Sequence, residues 1–260
     1  MIKIKEIRKG NVECVIDLES VYADVEIEKF NGRWEEFFAS DEANASVFKR
    51  NGNTILYPHK SWIPRIKDKR PSVIMLFGNS ASHSVREDIY FSYEGNGSEH
   101  RFWKVFRELG YINIISNPKT MKQDFFNLKY ESPFRLGFEV LYTFPSTASK
   151  PKWSGVRGLE RLFGKKVMKL MFESEKTRLL PLIKEFTKDG GAIIALQKDA
   201  YNSVAQNSYN LNQAWNFELK SVLDDSIRIY GTPPTRWLYT KKMKELLRNI
   251  KVEILNNFLL

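Results

Sequence analysis

The chain has 260 residues, 42% of them hydrophobic and 13% aromatic, with 41 Lys and Arg against 31 Asp and Glu for a formal charge of +10. That composition excludes global disorder and allows a sizeable core. The positive balance favours a polyanionic partner, because Lys and Arg that neutralise phosphates release counterions, although it also serves solubility alone.

Residues 1–30 mix charge with alternating Ile and Val and read as an opening strand or helix. The start, Met1–Lys5, lacks the apolar core of a signal peptide, and no segment reaches the apolar length that spans a bilayer. A cytoplasmic protein, or a nuclear one in a eukaryote, is expected. Trp34–Phe38 resembles a short helix, and Tyr57–Arg65, with two prolines, reads as irregular chain. Lys67–Arg70 is a basic patch leading into Val73–Phe77, a solid apolar run that reads as a buried parallel strand. Phe102, Val105, Phe106 and Leu109 make one helical face stopped by Gly110.

Tyr111–Ser116 reads as a second strand and Phe138–Thr143 as a third, followed by Pro145 and a basic polar loop through Trp153. A helix is expected over 158–172, and a second helical face at Leu179, Leu182, Ile183 and Phe186 is closed by Asp189-Gly190-Gly191. Ala192–Leu196 makes a fourth strand, 212–223 a helix, and Ile227–Tyr230 a fifth strand. Met243, Leu246, Leu247, Ile250 and Ile254 mark the closing helix. Short apolar strands alternating with helices predict an α/β fold, a three-layer α/β/α sandwich around a mostly parallel sheet of four to five strands. One domain over 1–260 is expected, with 1–65 packed on it as an N-terminal extension, and a monomer.

Three strand ends carry suggestive groups. Gly78-Asn79-Ser80-Ala81-Ser82-His83-Ser84 reads as a turn past the first strand, where open α/β sheets bind ligands, or as a plain strand-to-loop turn. It is neither a dinucleotide fingerprint nor a phosphate loop. Gly231-Thr232-Pro233-Pro234-Thr235-Arg236-Trp237 offers a stiff loop with a phosphate ligand and a wedge, or a proline-stabilised turn. Glu139, with Tyr142 and Thr143, puts a carboxylate in an apolar strand, where it must be paired, face a polar pocket, or sit at a wet edge.

Phe91 could stack on a flat ligand or belong to the core. His83 could be a general acid or structural, and His100 a helix cap or surface residue. Cys14 is the single cysteine, which excludes an intrachain disulfide and a cysteine-based metal site. With only three histidines besides, no metal and no cofactor is expected. No Gly-x-Ser-x-Gly elbow supports a serine hydrolase.

In this order, the pieces resemble the uracil-DNA glycosylase superfamily over about residues 70–250. Gly78–His83 is similar to the family's Gly-Gln-Asp-Pro-Tyr-His, and Phe91-Ser92 to its Phe-Ser, whose ring stacks on the flipped base. Arg101-Phe102-Trp103-Lys104 resembles the helix opening of the mismatch-specific branch. Glu139 falls where the family has a base-reading asparagine. Leu196-Gln197-Lys198-Asp199-Ala200 is similar to Leu-Gly-Lys-x-Ala, and Thr232-Pro233-Pro234-Thr235 stands in place of His-Pro-Ser-Pro, the loop that pinches the DNA backbone.

The resemblance implies a metal-free enzyme that flips a damaged base from DNA and hydrolyses its N-glycosidic bond. Phe91 would stack on the base, Gly78 and Glu139 would bind it, and Glu139 in place of Asn would favour a base other than uracil. Asn79 or Ser80 would orient water, and His83 would donate to the departing base. Lys198 and Thr232–Trp237, including Pro233, Pro234, Thr235 and Arg236, would hold the DNA. The chain departs from the family in lacking the motif proline (Ala81), the motif Asp or Asn if Ser80 is aligned there, and the last-motif histidine. Two rivals remain: a non-catalytic nucleic-acid-binding module that keeps the fold, and a small-molecule α/β enzyme.

Overall fold

A computed structural model of the protein describes residues 2–8, 11–92, 99–112, 118–189, 191–234 and 240–258. In chain order the elements are β1 (Ile2–Arg8), β2 (Asn11–Asp17), α1 (Asp24–Ala39), α2 (Asn44–Val47), β3 (Lys49–Asn51), β4 (Thr54–Lys60), β5 (Ser72–Ala81), α3 (Ser82–Arg86), α4 (Arg101–Glu108) and α5 (Pro118–Phe126). There follow β6 (Arg135–Ser146), α6 (Gly155–Phe163), α7 (Lys165–Thr187), β7 (Gly191–Leu196), α8 (Lys198–Asn202), α9 (Leu211–Trp215), β8 (Lys220–Leu223), β9 (Ile227–Thr232) and α10 (Thr240–Phe258). The chain divides into two compact units. The first comprises Met1–Ser61, Gly78–Tyr90 and Val140–Arg178, the second Trp62–Phe77, Phe91–Glu139 and Leu179–Leu260.

In the first unit the opening residues form an antiparallel sheet in the order β1-β2-β4-β3. The segment expected to be irregular around Pro58 is instead strand β4 through Lys60. Pro58 lies two residues past Leu56, where the pairing with β3 ends among the described residues, and on such an edge a missing N–H is tolerated. The helix read at Trp34–Phe38 is the end of the longer α1, which buries Ile27, Phe30, Trp34 and Phe37 at helical spacing. The helix expected over 158–172 is two helices. Gly164, at φ +82°, ends α6, because a residue with a Cβ is strained at that angle. α7 then runs unbroken through the second apolar face near Phe186.

The second sheet has the order β6-β5-β7-β9-β8. β5 and β7 run parallel from Ser72↔Gly191 to Leu76↔Ala195, and β7 and β9 from Ala192↔Arg228 to Leu196↔Thr232. β6 follows the direction of β5. The Arg135 N–H reaches the Pro71 carbonyl at one end (3.0 Å), and the Asn79 amide reaches the Phe144 carbonyl at the other (3.4 Å). This is the expected α/β class: a five-stranded, mostly parallel sheet flanked by helices in a three-layer α/β/α arrangement.

Within the second unit the strand pleat assigns the faces. Phe138 packs on Phe102 and Phe106 of α4 (5.6 and 6.0 Å between ring centroids), whereas a Cβ on Gly137 would meet the Phe186 ring of α7. α10 lies beside α4, where Lys244 pairs with Glu108.

The helix expected over 212–223 is another correction. Only α9 forms, and β8 then pairs antiparallel with β9 through a turn that puts Asp224 and Asp225 at φ 50° and 58°. Such left-handed turns match strand twist, and the hairpin outcompetes helix continuation. Tyr111 and Ile112 do not form the expected second strand, and 113–116 lie outside the described residues.

Candidate functional sites at the strand ends

The segment from Gly78 is not a turn. β5 continues through Ala81, with Gly78 outside the positive-φ residues, and α3 starts at Ser82. The strand extends because its polar residues find partners. Asn79 donates to the carbonyls of Ser80 (3.1 Å) and Phe144 (3.4 Å), and the buried Ser82 hydroxyl donates to Ser146 (3.3 Å). These bonds commit the Asn79 amide nitrogen and leave its oxygen as an acceptor. Ser80 and His83 are half-buried, His83 on α3.

In the second unit Phe91 is half-buried at φ +51°, an uncommon angle for a bulky residue. It is held there by the Trp103 indole N–H, which donates to its carbonyl (3.0 Å), and by stacking on Phe102 at 4.4 Å. Phe77 meets the ring edge-on at 4.9 Å. His100 is a cap, its Nδ1 accepting the Phe102 N–H at 3.1 Å.

Glu139 is fully buried, and strand alternation puts it with Gly137 on the α7 face, opposite the face that Phe138 shares with the Phe91–Phe102 cluster. Phe91 and Glu139 are therefore not brought together, and a carboxylate read as a partner of the stacking ring lies across the sheet from it.

The end of β7 carries the feature that sequence reasoning passed over. Gln197 has φ 143° and ψ 172°, a region that essentially only glycine occupies, and its buried Nε2 has no hydrogen-bond partner among the described residues. Lys198 beside it is exposed. The sequence signal available was the expected likeness of Leu196-Gln197-Lys198 to Leu-Gly-Lys, in which a glycine stands at the place of Gln197.

At the end of β9, Thr232 and Pro233 are buried, and the Thr232 hydroxyl donates to the Pro233 carbonyl (3.1 Å) with the Ala195 carbonyl as the alternative acceptor (3.4 Å). Both are thus withdrawn from a phosphate-contacting surface, while Pro234 is half-buried. Thr235, Arg236 and Trp237 lie outside the described residues. Gly231 belongs to the strand, and a Cβ there would collide with Leu219 and Tyr201.

Two polar clusters in the first unit were not legible in the sequence. Glu175, buried on α7, accepts the Thr143 N–H at 2.7 Å and the Thr143 hydroxyl, and pairs with Arg178 at 2.7 Å. Arg178 also donates to the Val140 carbonyl at 2.7 Å. Cys14, near Thr143 and Tyr57, is buried. Burial, the largest influence, pushes its thiol up to about 12, which makes it unreactive. The second cluster centres on Asp41. Burial raises its carboxyl, but the Ala43 N–H, the hydroxyls of Ser149 and Thr147, and the charge of His83 together hold it below the ordinary carboxylate value.

Among the described residues, no group of three or more His, Cys, Asp and Glu is placed to hold a metal ion, and no helix is long and apolar enough to cross a membrane. No protein-family model and no curated protein matches the chain.

Proposed function

We propose that the protein is a DNA glycosylase that receives an extruded, damaged base against Phe91 and hydrolyses its N-glycosidic bond. The observation that carries this reading is Gln197. The family resemblance sets it at a glycine, and the backbone there has angles that ordinarily demand glycine. A motif aligned on sequence alone thereby gains a physical reason. Phe91 supports the same reading, since the Trp103 hydrogen bond anchors its carbonyl while Phe102 and His100 hold the ring of this half-buried residue.

The C1′–N bond breaks with its electron pair leaving on the base, and the sugar becomes oxocarbenium-like. Stabilising that developing charge dominates the rate. The departing base takes up a proton, and a water bonds to C1′ and releases one, so that none is consumed overall. Lys198 contacts phosphate. Glu139 takes no part in reading the base, so its carboxylate sets no preference among bases.

The test is incubation with oligonucleotides bearing single uracil, hypoxanthine, xanthine or mismatched bases, followed by alkali. Strand breaks at the modified base are expected. Their absence with every substrate overturns the reading, and salt-sensitive gel shifts without breaks would establish the second one, a non-catalytic binding module. That second reading draws on the placement of Glu139 across the sheet and the burial of Thr232 and Pro233.

A further inference from the structure

We propose that the exposed cations of α6 and the start of α7 form a docking surface for the phosphates of a DNA backbone. The choice of DNA rests on the reading above; the surface itself is a property of the first unit.

Residues 150–169 hold seven Lys and Arg against one Glu, six of the chain's ten net positive charges in 20 residues. All seven are exposed. α6 turns Gly158, Leu159, Leu162 and Phe163 inward, which leaves Arg157 and Arg161, four apart, together on its outer side. Lys165 and Lys169 repeat that spacing at the start of α7, with Lys166 beside them. The chain from Arg161 to Lys165 reaches at most about 14 Å, so the two pairs make one patch.

Most of these cations are not used inside the fold. Lys152 pairs with Glu36, and Arg161 gives one N–H to the Lys152 carbonyl at 3.0 Å, which ties the preceding loop to α6. Lys150, Arg157, Lys165, Lys166 and Lys169 have no ion-pair partner among the described residues. Like charges four apart on a helix repel. The arrangement therefore works against the folded chain until an anion lies across it.

The position fits the occupant. β6 ends at Ser146, whose carbonyl accepts the Ser82 hydroxyl at 3.3 Å and whose own hydroxyl accepts the Gly155 N–H at 2.8 Å. α6 thus starts at the sheet rim that carries Gly78–His83. Thr232 and Pro233 are buried, so phosphates at this rim need other ligands. α1 bounds the patch on one side. It packs on α6 through Arg33, which donates to the Leu162 carbonyl at 2.8 Å, and it exposes Asp24, Glu26 and Glu28, which repel a polyanion. A membrane fits less well. A helix lying on a bilayer buries an apolar face, whereas the exposed large apolar residues of the first unit, among the described residues, are Leu170 and Val25, the latter between Asp24 and Glu26.

The experiment measures binding of the full chain to duplex and single-stranded DNA oligonucleotides over a range of salt, in wild type and two triple variants. The first, Arg157→Gln with Lys165→Gln and Lys169→Gln, removes three cations of the patch. The second, Lys241→Gln with Arg248→Gln and Lys251→Gln, removes the same charge from exposed positions of α10. Each phosphate contact adds about 0.9 to the slope of log K against log salt on a duplex and about 0.7 on a single strand. The first variant should therefore lower that slope by about 2.7 or about 2.1, and the second by less than about 1. The affinity lost should be the same for every sequence. If the first variant does not fold, Arg157→Gln alone should lower the duplex slope by about 0.9.

No binding by wild type, an unchanged slope in the first variant, or an equal fall in the second would overturn the proposal. Wild type that binds phosphatidylserine vesicles and no oligonucleotide would give the surface to a membrane instead. Base release is followed on the same samples. If the slope falls as stated and no base is released, the surface stands and the glycosylase reading falls. If bases are released and the slope does not change, the reading stands and the surface falls.

Discussion

The carboxyl ends of β5 and β7 begin alike, each a run of buried aliphatic residues passing into polar ones, and differ in how those polar residues are held. At β5 the strand simply continues, with Asn79 donating to two carbonyls and Ser82 to a third. Close by in the same unit, Glu175 and Asp41 each collect two or more donors. At β7, Gln197 combines a glycine's backbone angles with a buried amide that has no partner among the described residues. The first arrangement stabilises the fold, whereas the second opposes it. Strain of that kind persists only where the surroundings enforce it, and it concentrates where a protein handles a ligand. Removing a polar side chain should therefore have opposite signs in the two regions.

The largest effect is expected at Glu175. Glu175→Ala takes the acceptor from the Thr143 N–H and hydroxyl and leaves Arg178 without its carboxylate. Breaking a buried pair in this way costs about 3–5 kcal/mol. Urea unfolding at neutral pH measures it, and a loss below about 1 kcal/mol would show that the satisfied region contributes no such stability.

Gln197→Gly should move the other way. Relief of about 1–3 kcal/mol of backbone strain outweighs the extra chain entropy of glycine, about 0.5–1 kcal/mol, for a net gain of about 1 kcal/mol. Gln197→Ala, which removes the unpartnered amide but keeps a Cβ at the same angles, should gain less than Gln197→Gly. Thermal melts of the two variants side by side decide it, and a Gly variant less stable than wild type removes the contrast between the strand ends.

A smaller loss, about 1 kcal/mol as for other lost helix caps, is expected for His100→Ala. The Phe102 N–H then loses the Nδ1 acceptor at the start of α4. Urea midpoints measure the loss, and an unchanged midpoint would mean that water replaces the cap.

The finest test is the acid limb of stability. The Asp41 carboxyl is held below its ordinary value of 3.8 in the folded chain, so its contribution is fully present above that pH and is lost as pH falls through the depressed folded value. Asp41→Asn should flatten that part of the stability–pH curve. An identical acid slope in the variant would mean that other carboxylates carry it.

The sequence by itself determined the class of fold and the positions of its inner strands. Val73–Phe77, Ala192–Leu196 and Ile227–Tyr230 all lie in strands, and the helical faces at Phe102 and Met243 lie in α4 and α10. Such periodicity is written within windows of about ten residues, and burial of one face is enough to realise it. Tertiary structure alone decided where β5 ends, why Pro58 sits in a strand, and that 220–223 leaves its expected helix to pair with β9. In each case a partner outside the local window supplies hydrogen bonds that compete with local preference.

The candidate sites divide in the same way. Gln197 itself was visible at the end of an apolar strand, but its backbone angles were not, and the side of the sheet taken by Glu139 depends on the register of the whole strand. The bond from Thr147 to Asp41 joins residues 106 apart in the chain. No local pattern encodes a contact of that span, because it forms only once the segments carrying both ends have packed.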